Sequence, residues 1–279
     1  MNNKSVYLLV AALALTPPSA LAAKPVALKS NRIQISYVEP QNPAHQEIYE
    51  TLKERRILER FKGYLSPLRL PVPLLLKTEG CDGEVNAWYE ESEHAITVCY
   101  EYIAEVLNNA PQGIGAGGVS HQDAIVGPTI DVFLHEAGHA VFSLLKVPIL
   151  GREEDAADQF AGYMMLRLDK EVAHNMIAGV AFMYGNQALS QDPKLKQFAD
   201  AHGVAGQRFY NVLCLAYGKD PVLFADMVEK GFLPESRAEG CADEYKQVDY
   251  AFKKLVYPYI DWTLVKKKQP KKLLRPAQN

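Results

Sequence analysis

His135-Glu136-Ala137-Gly138-His139 is the segment of this chain whose residue types and spacing could do chemistry. Residues four apart on a helix stand one turn above each other on the same face, so His135 and His139 can direct two imidazole nitrogens at one point. That supplies two of the three protein ligands of a catalytic zinc. Glu136 projects beside them and can reach a water whose pKa the ion lowers toward ~7, the position of a general base. The flanks suit a buried helix: Val132, Phe133 and Leu134 come before, Ala140 and Val141 after, and no Pro is expected to interrupt it. The bland alternative is a chance string with two histidines on a polar helix face, so a third ligand has to be found. A further His six residues after His139 is absent, because position 145 is Leu.

Beyond Pro148 and Gly151 the chain resumes as Glu153-Glu154-Asp155-Ala156-Ala157-Asp158. The break at 146 to 151 lets the second helix fold back as an antiparallel hairpin, bringing this acidic start beside the histidines. The same residues would also serve as an acidic first turn complementing the helix dipole. If Glu154 is the third ligand, Asp158 lies one turn on and can accept a hydrogen bond from the outer nitrogen of a metal-bound His. A developing oxyanion needs a further donor, for which His202, Arg208 and Tyr210 are candidates. Each also has an ordinary reading as a local hydrogen-bonding residue.

The two segments together resemble the gluzincin metallopeptidases, whose downstream Glu is the third zinc ligand and whose Asp supports a zinc-bound His. It is this pattern that selects Glu154 over its neighbours. Three further segments, Ile96 to Glu101, Gln207 to Gly218 and Leu233 to Cys241, make the chain similar to a bacterial metallopeptidase-like family called domain of unknown function 4344. The resemblance spans most of the chain. It implies a secreted or periplasmic protein with a zincin-like core, one Zn2+ ion held by His135, His139 and Glu154, and a peptide or protein substrate of unspecified sequence. Zincins present an edge strand beside the metal on which an extended peptide can lie, and Ala95 to Tyr100 is the candidate here, with an ordinary core strand as the equal alternative.

The elements that must position these residues are legible in outline. Arg32 to Val38 alternates as a half-buried strand does, and 44 to 61 has helical spacing. Leu74 to Lys77, Ala87 to Tyr89 and Ala95 to Tyr100 read as short strands, the last two joined as a hairpin through Glu91 to His94. Helices are expected near 125 to 146, 152 to 168, 172 to 189, 205 to 217, 221 to 230 and 242 to 256. This is an α+β order, a small N-terminal sheet followed by a mostly helical part carrying the motif helix. Gly113-x-Gly115-x-x-Gly118 matches the dinucleotide fingerprint as a string but follows a helix-like segment, so it reads as a loop and a candidate lid over the cleft.

Lys4, the apolar run Val6 to Leu15, Pro17-Pro18 and Ala20-Leu21-Ala22 form a secretory signal, with cleavage expected after Ala22. Residues 23–265 are expected to form one domain and 266–279 a basic tail, read as a solvated end. Export would let Cys81, Cys99, Cys214 and Cys241 form disulfides, with Cys81–Cys99 and Cys214–Cys241 favoured because each closes a short loop; the first would pin the hairpin. No Cys-x-x-Cys half-site supports thiolate zinc. Among 279 residues, 30 Lys and Arg against 33 Asp and Glu give a net charge of -3, without the basic field that draws nucleic acid. No integral membrane segment is expected after signal cleavage, and oligomeric state is not legible. Two other readings stay open: a non-catalytic zinc-binding envelope or interaction protein on a zincin fold, and a metallohydrolase acting on something other than peptide.

Overall fold

The computed structural model describes residues 27–190 and 195–267. The signal segment 1–22 lies outside them, as does the basic tail from residue 268; Lys266 and Lys267 end the last described helix. Four strands, β1 (Ile33–Tyr37), β2 (Leu74–Glu79), β3 (Ala87–Glu90) and β4 (Ala95–Cys99), form one sheet in the order β1-β2-β4-β3. β1, β2 and β4 run parallel, and β3 pairs antiparallel with β4 in the expected hairpin.

The parallel step from β1 to β2 requires a crossover. It is made by α1 (Gln46–Glu54) and α2 (Ile57–Leu65), not by the one helix expected over 44 to 61. The apolar spacing fails at Arg55-Arg56, and Arg56 turns left-handed at φ 53°. The turn re-aims Leu58, Phe61 and Leu65 inward, while the Tyr37 hydroxyl accepts from the Leu58 N–H at 2.8 Å and donates to Glu59 at 2.8 Å.

β4 is not the edge strand. Ala95-Ile96-Thr97-Val98-Cys99 is buried at every position, between β2 and β3. Burial at successive positions marks a strand covered on both faces, and the edges of the sheet are β1 and β3. The Cys81–Cys99 disulfide ties the loop leading into β3 to the end of β4, and Glu101 accepts from the Cys81 and Gly83 N–H groups at 3.0 Å.

From α3 (Tyr100–Asn109) onward the described chain is helical. The central element is α4 (His121–Leu145), whose first turn is capped by Ser120 accepting from the Asp123 N–H at 3.0 Å. Contrary to expectation, a proline lies inside it. Pro128 costs one backbone hydrogen bond and crowds the preceding turn, yet the helix continues through it because α4 is buried over most of its length. α5 (Glu153–Met165) folds back along α4, and α6 (Lys170–Ser190) packs on its N-terminal half. A Cβ on Gly179 of α6 would lie 2.0 Å from the Asp123 carbonyl oxygen, so the two backbones touch. α7 (Ala205–Lys219), the short α8 (Ala225–Glu229) and α9 (Glu235–Ala238), and α10 (Cys241–Leu255) follow. The Cys214–Cys241 disulfide joins α7 to the start of α10.

The glycine-rich segment is a loop, but not a lid. It contains one short turn at Ala116–Gly118 and ends at Ser120. About fifteen helical residues, ~22 Å at 1.5 Å each, separate Ser120 from His135, and no residue of 112–120 lines the cleft described below.

Candidate metal centre

α4 passes through the fold with His135, Glu136 and His139 facing a cleft of about 750 Å3. Its walls are the β3 side from Val85 to Tyr89, the last turns of α4, the start of α5, the end of α6, and His202 with Arg208. Gly138, inside the motif, explains how α5 comes so near. A Cβ there would sit 3.2 Å from the Ala157 Cα and the Phe160 Cβ, so a larger residue would push α5 away.

The cluster is built around one carboxylate oxygen. His135 Nε2 lies 3.0 Å and His139 Nε2 3.3 Å from Glu154 Oε2, and the two Nε2 atoms are 3.2 Å apart. Donors about 2.0–2.1 Å from a tetrahedral zinc are spaced about 3.3 Å from one another. The spacings of the three atoms match those of one face of such a tetrahedron. The donor chemistry also fits, since two imidazoles and a carboxylate suit a first-row divalent ion.

Each histidine is oriented through its other nitrogen. His135 Nδ1 lies 2.8 Å from Asp158 Oδ1, and Arg208 of α7 grips the same carboxylate with two hydrogen bonds of 2.7 and 2.6 Å. His139 Nδ1 lies 2.8 Å from Glu153 Oε1. Glu153 was not distinguishable in the sequence: it adjoins Glu154 with the same side chain, and only the placement of α5 gives one the Nδ1 atom and the other both Nε2 atoms. Asp131, one turn before His135, is also buried and accepts from the Tyr184 hydroxyl at 3.0 Å.

The electrostatics follow from burial and pairing. Burial opposes the charge on His135, but hydrogen bonds to Asp158 and Glu154 overcome it and raise its pKa to about 10. Hydrogen bonds from His135, His139 and His202 hold Glu154 far below the usual carboxylate range. For Asp158 burial pushes upward, and His135 with Arg208 outweighs it, leaving about 2. Glu136, 6% exposed, is shifted up, chiefly by burial. Burial also lifts Asp131 to about 6. Among the described residues Asp131, Glu136, Glu153, Glu154 and Asp158 gather here with Arg208 as the only guanidinium or ammonium, and a divalent ion would offset the carboxylates in place of protons on the histidines.

The residues weighed for oxyanion support fall in three different places. His202, on the loop before α7, has Nε2 2.8 Å from Glu154 Oε2. Arg208 reaches the site only through Asp158, with its guanidinium 4.4 Å from the Tyr184 ring centroid. Tyr210 is not brought to the cluster: it is 41% exposed, packs edge-on against Phe209 and faces another groove beside Arg152 and Gln207. Two residues along a helix from Arg208, a side chain points to the other flank.

One family profile, that of DUF4344, described as "Putative metallopeptidase", matches residues 37–256. The chain belongs to this family. No curated protein and no solved structure matches it. DUF4344 membership suggests a metal-dependent peptidase, with a metal ion as cofactor and peptides as substrates. The matched span includes every residue of the cluster and both disulfides of this DUF4344 protein. Among its described residues no helix is long and apolar enough to cross a membrane.

Proposed function

We propose that this protein is a zinc-dependent peptidase of zincin-like fold, with His135, His139 and Glu154 holding one Zn2+ and Glu136 acting as general base. The observation that carries this is the triangle of donor atoms, 3.0, 3.2 and 3.3 Å on its sides, with the buried Glu136 next to it in sequence. An ion bound there would supply Lewis acidity, lowering the pKa of a water and polarising a carbonyl. Glu136 takes the proton of the attacking water and later returns it to the leaving amine, for which a carboxylate lifted by burial is better matched than an exposed one. Asp158 and Glu153 fix the imidazole tautomers. Of the three candidate donors, His202 is the one that reaches the ligand carboxylate directly, with Nε2 2.8 Å from Glu154 Oε2.

The substrate is proposed to be an extended segment of polypeptide paired along the free edge of β3, with its main-chain groups taking the ladder positions β4 does not use. The cleft continues along α4 beyond both histidines, from Asp131 and Val132 at one end to Phe142 and Ser143 at the other. Among its described lining residues the only guanidinium or ammonium is Arg208, already consumed by Asp158, so no cation waits for a chain-terminal carboxylate. Both features favour cleavage within a chain. Residues 23–265 are read as the mature catalytic unit, exported after loss of 1–22; the four paired cysteines support an oxidising compartment.

Glu136→Gln tests the mechanism. It should keep zinc at wild-type stoichiometry and lose peptide hydrolysis by at least ~100-fold; unchanged turnover would end this reading. A second reading, a metal-binding envelope or interaction protein without turnover, is favoured by the approach of a fourth donor, the His202 nitrogen, because structural zinc has four protein ligands. A metal-loaded protein that cleaves nothing in a general peptide library would select it.

A further inference from the structure

His202 repeats, on a loop, the pattern shown by the two motif histidines. Each of the three imidazoles sets Nδ1 toward a carboxylate and Nε2 toward Glu154 Oε2. For His135 the outer carboxylate is Asp158, for His139 it is Glu153, and for His202 it is Asp200, whose Oδ1 lies 3.3 Å from Nδ1 and accepts from the His202 N–H at 2.9 Å. The His202 Nε2 to Glu154 Oε2 distance of 2.8 Å is shorter than those of the motif histidines, 3.0 and 3.3 Å. Its ring lies stacked on that of His135, centroids 5.7 Å apart and 23° from parallel. His135, Glu154 and His202 each offer a ligand atom, all within 4.8 Å of one another. A carboxylate on the far nitrogen is the usual device for fixing a metal-ligating imidazole. A residue serving only to polarise substrate would have no reason to converge on a ligand's oxygen.

We infer that His202 is a protein ligand of the same ion, giving the resting centre three imidazoles and one carboxylate. The inference deepens the zinc reading and rests on it. Four protein donors would fill a tetrahedral zinc, so water or substrate could reach an ion held this way only if His202 gave up its place. The other three donors stand on α4 and α5, packed in the core, whereas His202 sits between the turn ending at Ala199 and α7, with its side chain 46% exposed. A loop residue at the surface can depart without moving either helix. Helical spacing could never have flagged it, because its ligand role depends on a loop 48 residues after Glu154.

The test compares metal binding by the mature wild type, His202→Ala, Asp200→Asn and His139→Ala. Zinc affinity is read by competition with a chromophoric chelator, and the imidazole count by X-ray absorption, with the cobalt(II) visible spectrum as a second readout. Circular dichroism checks that each variant is folded. The inference expects three imidazoles in the wild type and two in His202→Ala. It also expects zinc affinity 10–100-fold weaker in His202→Ala and a smaller loss in Asp200→Asn. Two imidazoles in the wild type, with His202→Ala binding within twofold of it, would overturn the inference and leave the three-ligand centre standing. Wild type without zinc, or His139→Ala binding as tightly as wild type, would overturn both. Should His202→Ala not fold, the wild-type imidazole count and the Asp200→Asn affinity decide.

Discussion

His135 and His139 stand one turn apart on the same helix, and the protein supports them very differently. His135 is 4% exposed, and the Asp158 carboxylate behind it is itself clasped by Arg208 from a third helix. His139 leans on Glu153, whose side chain is 54% exposed and has no cation behind it among the described residues. Exposed ion pairs contribute about 0–1 kcal/mol, while a buried pair is costly to break because the abandoned partner keeps its charge away from water. The same hydrogen bond to the same imidazole atom therefore has different consequences at the two positions. The His135 side fixes the geometry of the site to the fold; the His139 side opens toward the cleft.

The comparison is broken most severely by Asp158→Ala, which would leave the Arg208 guanidinium buried without its partner and His135 without its orienting acceptor. Chemical denaturation should show a loss of about 3–5 kcal/mol in the metal-free protein, and chelator competition a metal affinity at least ~10-fold weaker. Arg208→Met should follow, with a stability loss of similar kind but smaller size, because Asp158 retains its bond to His135. Its metal affinity should fall by less than that of Asp158→Ala. At the other histidine, Glu153→Gln should shift stability by no more than ~0.5 kcal/mol and metal affinity by only a few-fold. Equal effects from Asp158→Ala and Glu153→Gln in these two assays would abolish the asymmetry.

Acid titration of the metal-free protein sharpens the same contrast at the smallest scale. His135 and Arg208, outweighing burial, hold the Asp158 carboxyl at about 2, below the ordinary aspartate value of 3.8. Its contribution is thus fully present above ~4 and is lost as pH falls through about 2. Asp158→Asn should flatten the fall in unfolding free energy over that window.

Much of the architecture was legible where it depends on local periodicity. The strand at 33 to 37, the hairpin, the long motif helix and the acidic helix after it follow from alternation, i,i+4 spacing and the Pro148–Gly151 break. Failures occurred where a neighbour decided the outcome. The apolar run at Ala95 to Cys99 suits an edge beside the metal or a central strand equally, until the sheet order puts β3 outside it. The helix over 44 to 61 was divided because Tyr37, on a strand, fixes the start of α2. Pro128 was tolerated because burial of α4 outweighs one lost backbone bond.

By itself, the sequence determined that two imidazoles and a carboxylic acid share one stretch of helix, that an acidic helix follows within reach, and that four cysteines accompany a leader-like start. These are matters of covalent order and helical pitch, which few-residue spacings encode completely. Only the tertiary structure decided how the acidic residues divide their work, with Glu154 at the centre, Glu153 and Asp158 behind the rings, and Arg208 behind Asp158. It alone drew His202 in and left Tyr210 out. Such assignments depend on how α5 packs against α4 and α7 against α5 and α6, to within an ångström or so, and that is fixed by the volumes of residues such as Gly138 and Ala157 across the whole core.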